Sequence, residues 1–122
     1  MAIVAVSISP VGEGVGVSIY VARALAVLQR SGLEYEMGPM FTTIEGDLDQ
    51  ILEVVRRMQE SVFAEGARRV STVMKIDDRR DCDHSMEGKL QSARAHLEGA
   101  VEEDRGIAQG GIHDGPGAGT AR

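Results

Sequence analysis

The chain opens on an almost unbroken apolar run, Ala2–Ser9 (AIVAVSIS), rich in β-branched residues and closed by Pro10. Such a run predicts a strand buried on both faces. Gly12, Gly14 and Gly16 then interrupt the pattern and predict a loop. From Ser18, a predicted N-cap, the residues Ile19, Val21, Ala22, Leu25, Val27 and Leu28 supply the apolar side of a helix that Gly32 closes. Two short runs, Glu34–Met37 and Met40–Glu45, flank Gly38 and Pro39 and predict a hairpin. Gly46 and Asp47 open a second helix. Its stripe is Leu48, Ile51, Leu52, Val55, Met58, Val62 and Phe63, and Gly66 ends it. Arg68–Asp77 (RRVSTVMKID) returns to alternation and predicts a fourth strand. After the charged loop DDRRDCDH, Ser85 is placed to cap a third helix with the stripe Met86, Leu90, Ala93 and Leu97. From Gly99 the periodicity lapses.

The order β-α-β-β-α-β with an added C-terminal helix predicts an α+β fold. Right-handed crossovers and the central hairpin give one antiparallel sheet with two helices on one face, the ferredoxin-like arrangement. The domain is read as residues 1–98, and 99–122 as a Gly-rich flexible tail. Strand residues alternate between faces. Val4, Val6 and Ile8 are expected to meet the helices, with Tyr35, Met37, Met40, Thr42 and Ile44, and with Val70, Thr72, Met74 and Ile76. The other face carries Ile3, Ala5, Ser7 and Ser9; Phe41, Thr43 and Glu45; and Arg69, Ser71, Val73, Lys75 and Asp77. Its middle is apolar, and an open apolar patch of that kind marks an interface. Oligomer packing is the expected cover, and the third helix folded across the face is the alternative.

Composition narrows the function classes. The 122 residues carry a formal net charge of −6, which argues against broad nucleic-acid binding, since that draws its affinity from Lys and Arg on phosphates. Aromatic content is 3% with no Trp, so the core must be aliphatic and methionine-based. One cysteine, Cys82, excludes an internal disulfide and fits a reducing compartment. No apolar run reaches the ~18 residues of a membrane span. No basic stretch precedes the first apolar run, so it does not read as a signal peptide. The expectation is a cytoplasmic protein with no membrane or nucleic-acid partner.

Candidate chemistry is sparse. The loop SPVGEGVGVS precedes a helix, so its N–H groups are placed to hold an anion or an electron-rich ligand edge. It lacks a P-loop lysine, and its spacing favours a plain turn. Glu45 ends a strand just before a helix. A carboxylate there either meets a heterocycle nitrogen or a cation, or compensates a helix dipole together with Asp47. Asp81, Cys82, Asp83 and His84 are potential metal ligands, but neighbours on a loop rarely reach one ion and no Cys or His pair stands at zinc spacing. His96 and His113 are isolated. No Ser-His-Asp or Cys-His arrangement is visible, so neither an enzyme nor a metal or other cofactor is expected.

The motifs SxSPxGxG, VSIYVARAL, SGLEYEMGPMFTTIEGD, GARRVSTVMKIDDRRD and MEGKL, in that order, resemble the small thiamine-binding protein family. The resemblance covers the chain from the first strand to the third helix. It implies a ferredoxin-like fold, a homotetramer built from sheet-bearing dimers, and binding of thiamine (vitamin B1) or its pyrimidine moiety without catalysis. Two departures from the family pattern stand out. Phe41 follows Pro39-Met40 where a small residue is usual, and Gly14, Val15 and Gly16 replace a loop richer in Ser and Thr. The expected ligand contacts are Ser9, Thr43 and Glu45, with Phe41 or Tyr20 stacking on a ring. Strand direction separates these residues, so an oligomer interface is needed to gather them all. The alternatives are a small enzyme on the same fold, or a structural or adaptor oligomer.

Overall fold

The computed structural model describes residues 1–82 and 85–109. Asp83, His84 and residues 110–122 lie outside the described residues. Half of the acid-Cys-His run and most of the proposed tail, including His113, therefore fall there. The elements are β1 (Ala2–Pro10), α1 (Ser18–Ser31), β2 (Glu34–Met37), β3 (Thr42–Gly46), α2 (Leu48–Ala64), β4 (Val70–Asp78) and α3 (Met86–Gln109). The chain divides into two compact units, Met1–Met86 and a second that begins at Glu87.

In the first unit, four strands form one sheet in the order β2-β3-β1-β4, with every neighbouring pair antiparallel. This is the α+β ferredoxin-like arrangement. Register fixes the faces. Val4 stands opposite Ile44 on one side and Ile76 on the other, while Ile3 stands opposite Glu45 and Asp77. Even-numbered residues of β1 therefore point at the helix layer, and Val4 and Ile44 are fully buried there. Ala24 and Leu28 of α1 and Ile51, Val54, Val55, Met58 and Val62 of α2 complete the core. No buried side chain in it is polar among the described residues. At roughly 1.5–3 kcal/mol for each large aliphatic side chain removed from water, this layer dominates the stability of the unit.

Several local expectations shift in the structure. Ser18 is already helical, and Val17 takes the N-cap position with no side-chain cap. The first turn of α1 closes on backbone instead, with the Tyr20 and Val21 amides donating to the Val17 carbonyl at 3.1 and 3.2 Å. Asp47 does cap α2, accepting from the Gln50 amide at 3.2 Å. The apolar stripe of α2 is turned by about one position from its predicted centre: Val54 is buried, whereas Leu52 and Phe63 are 38% and 41% exposed. Met37 and Ile76, expected under the helices, are 64% and 44% exposed. They sit on β2 and β4, the two edge strands, beyond the reach of a two-helix layer. Met40 and Phe41 lie outside β3, because the Gly38 amide donates to the Phe41 carbonyl at 2.9 Å and closes the turn first. Finally, α3 continues past Gly99 to Gln109. Ala100, Glu102, Glu103 and Arg105 are helix formers, and backbone hydrogen bonding continues beyond Val101, the last apolar position of the stripe. Among the described residues no helix is long and apolar enough to cross a membrane.

Candidate functional site

The two ladders that flank β1 end at different heights. Against β3 the register stops at Val6 and Thr42, whereas against β4 it runs on to Pro10 and Val70. Residues 7–10 therefore pair on one side only, and β3 has already turned away from the other. A cleft of about 330 Å³ occupies this gap. Its walls include Ser7, Ile8 and Ser9 of β1, Val21 and Leu25 of α1, and the β2–β3 turn from Met37 to Phe41. Lining residues come from both parities of β1, so the cleft runs along the strand edge rather than over one face. The unpaired edge of a strand offers backbone N–H and C=O groups to whatever fills such a gap.

The turn that forms the lip has little freedom. A Cβ built on Gly38 would lie 2.7 Å from the Phe41 carbonyl oxygen, closer than real contacts allow, so glycine is required there. This close approach holds Phe41 beside the β1 edge with 38% of its surface exposed. Extending the β1–β3 register by one step would set Phe41 opposite Ser7, so Ser9 stands about 7 Å further along β1.

Of the five residues predicted to contact a ligand, Ser9 and Phe41 line this cleft together. Thr43 lies next along β3 on the open face, opposite Ala5 and Glu36. Glu45 is at the far end of that face. It stands opposite Ile3, six residues before Ser9 and hence about 20 Å from it along the strand. Its half-buried carboxylate already has work, accepting from the Met86 amide at 3.1 Å. A carboxylate on the first N–H of a helix is favourable through both the hydrogen bond and the dipole. Glu34 and Asp77 share its row of the sheet, so this end of the open face is acidic.

Tyr20 belongs to a different neighbourhood. Its hydroxyl donates to Glu13 Oε1 at 3.1 Å, tying α1 to the glycine loop. Desolvation, the hydrogen bond to Glu13, and the charges of Glu13 and Glu65 together raise the phenol above its ordinary value of 10.0. Glu65 in turn pairs with Arg23 at 2.7 Å. Gly12 and Gly14 in the loop have φ of 88° and 81°, a region that disfavours other residues. The loop is anchored where the Val11 amide donates to the Arg69 carbonyl at 2.8 Å. The charged loop after β4 holds local surface pairs, Arg79 with Asp81 and Arg80 with Asp78.

The sequence reading missed the apolar wall made by Val21, Leu25, Met37 and Met40. One signal was available: two methionines flanking Gly-Pro in a hairpin turn, where polar residues are the rule.

A family model described as thiamine-binding protein matches residues 4–94. The chain belongs to the thiamine-binding protein family. Among its relatives, the UPF0045 protein YqgV of Bacillus subtilis is 39% identical over 103 residues, which cover 80% of this chain and 99% of that one. A UPF0045 protein of Methanothermobacter thermautotrophicus is 37% identical over 93 residues, covering 75% and 94%. The crystal structure of a hypothetical protein from Methanocaldococcus jannaschii superposes with a TM-score of 0.71 at 37% identity, over 75% of this chain and 94% of that one. A Thermotoga maritima protein proposed for thiamine biosynthesis or salvage shares the fold, with a TM-score of 0.65 at 24% identity over 75% and 97%. Family membership and the ferredoxin-like sheet thus agree, and the matched residues, 4–94, contain all five predicted contacts.

Proposed function

We propose that this chain binds thiamine, or the pyrimidine moiety of thiamine, as a non-enzymatic cytoplasmic homotetramer. The cleft at the unpaired edge of β1 carries the reading. An aminopyrimidine is a flat ring with a polar rim. Phe41 offers a face for the ring, and Ser9 with the free edge of residues 7–10 offers donors and acceptors for the rim. The apolar wall of Val21, Leu25 and Met40 suits a ring removed from water. The thiazolium end is cationic, and the acidic row of Glu34, Glu45 and Asp77 suits that charge. One protomer cannot bring that row to Ser9, since the two are about 20 Å apart along β1. Two open sheet faces packed together bring the acidic end of one protomer to the cleft of another, with Thr43 between them. In this arrangement Tyr20 acts through the loop it anchors rather than by stacking.

Calorimetric titration with thiamine, and with its separate pyrimidine and thiazole halves, tests the reading. Binding of thiamine and of the pyrimidine half is expected, and Phe41→Ala should weaken both. Glu45→Gln keeps shape and removes charge, so thiamine affinity should fall roughly ten- to a hundredfold while the neutral pyrimidine half is less affected. Absence of heat with every one of these compounds would return the protein to the adaptor class. Conversion of thiamine during the titration would make it an enzyme.

A further inference from the structure

The helix α3 carries its own apolar stripe. Met86, Leu90, Ala93, Leu97 and Val101 recur at steps of three and four, one face of a helix of 24 residues. Three of these are well exposed: Leu90 at 44%, Leu97 at 62% and Val101 at 38%. The opposite side is weak helix. Gly99 and Gly106 stand in open space, and each lowers helix stability by about 1 kcal/mol relative to Ala. A helix of this composition draws its stability from packing of the stripe rather than from propensity.

Charge says what packs there. The N-terminal half of α3 carries Lys89 and Arg94 against Glu87, and the C-terminal half carries Glu98, Glu102, Glu103 and Asp104 against Arg105. The helix is therefore basic then acidic along its length, a pattern complementary to its own inverted copy. We propose that α3 pairs antiparallel with α3 of a second copy of this chain. A two-fold axis at Ala95 sets Leu97 against the partner's Ala93 and Leu90 against the partner's Ala100, large against small in these two central layers. It also brings Lys89 beside the partner's Glu103. A parallel pair would instead place the two acidic halves side by side. This interface lies on a different element from the open sheet face and does not depend on the thiamine reading.

The experiment uses the full chain with Cys82→Ser, adding Lys89→Cys and Glu103→Cys singly and together. Positions 89 and 103 are about 21 Å apart on one helix, so a disulfide between them must join two chains. Under mild oxidation the double variant should give covalent dimer at least tenfold faster than either single variant. Equal rates for the singles and the double, or no cross-link, would overturn the antiparallel pair. Leu97→Asp, read by light scattering alongside circular dichroism, should halve the assembly mass while the sheet signal persists. An unchanged mass would assign the stripe to a contact within its own chain and also overturn the proposal.

Discussion

At the scale of single residues, Tyr20 and Glu45 are each held by a partner distant in sequence. Tyr20 is held by Glu13, and its phenol is raised by desolvation first, then by that hydrogen bond and by the charges of Glu13 and Glu65. A group whose proton is held more firmly in the folded state stabilises the fold at pH below its unfolded value, and that contribution is lost as pH rises through the folded value. The hydroxyl therefore supports the loop at all ordinary pH and releases it only above about pH 10. In an absorbance titration of tyrosinate, Glu13→Gln should bring ionisation of the Tyr20 phenol to lower pH, and the melting temperature of Tyr20→Phe should vary less across that alkaline range. A profile identical to wild type would show that the Glu13 contact has no influence on the phenol. Neither Tyr20 nor Glu45 revealed these partners in sequence. Glu13 is seven positions from Tyr20 and Met86 is 41 positions from Glu45, so only the folded chain brings them together.

At the scale of elements, legibility followed the strength of the repeat. β1 and β2 emerge within a residue of their predicted bounds, because an unbroken β-branched run and a short alternation between turn residues leave little choice. The stripe of α2 was legible in period and not in phase. Leu48, Ile51, Leu52, Val55, Met58, Val62 and Phe63 span a wide arc, and packing against β1 and β3 selects the half of it centred on Ile51, Val55 and Val62. That selection has a measurable consequence. Ile51 is fully buried, so Ile51→Ala leaves a cavity and should cost about 2–5 kcal/mol in denaturant unfolding. Leu52 is 38% exposed, so Leu52→Ala should cost about 1 kcal/mol or less although it belongs to the same apolar pattern. Equal costs would place the two residues on one buried face and contradict the phase described above. The cleft was illegible for a related reason. It exists because two ladders on the same strand end at different residues, and register across strands is not written in either strand alone.

At the scale of the whole molecule, the open face of the sheet is what remains to be accounted for. Ile3 is buried there, but Val73 is 56% exposed and sits opposite Ser7, on the stretch of β1 that also borders the cleft. Ser7 and Ser9 of β1 and Ser71 of β4 adjoin it, Lys75 stands two residues further along β4, and carboxylates close the far end. Such a surface resembles the interior of a protein interface more than a solvated sheet face. A charge placed at Val73 and buried by association costs several kcal/mol of desolvation, enough to reverse a typical dimer equilibrium. Val73→Asp should therefore reduce the assembly mass seen by light scattering at micromolar concentration, and it should weaken thiamine binding in parallel, since the proposed site is completed across the same face. The α3 variants separate the two interfaces. If each face holds one contact, Val73→Asp and Leu97→Asp each leave a dimer, and the double substitution leaves a monomer. Loss of mass with undiminished thiamine affinity in Val73→Asp would confine the ligand to the cleft of a single protomer, with Ser9 and Phe41 sufficient and Glu45 left to accept from the Met86 amide. A monomeric wild type would remove the tetramer altogether.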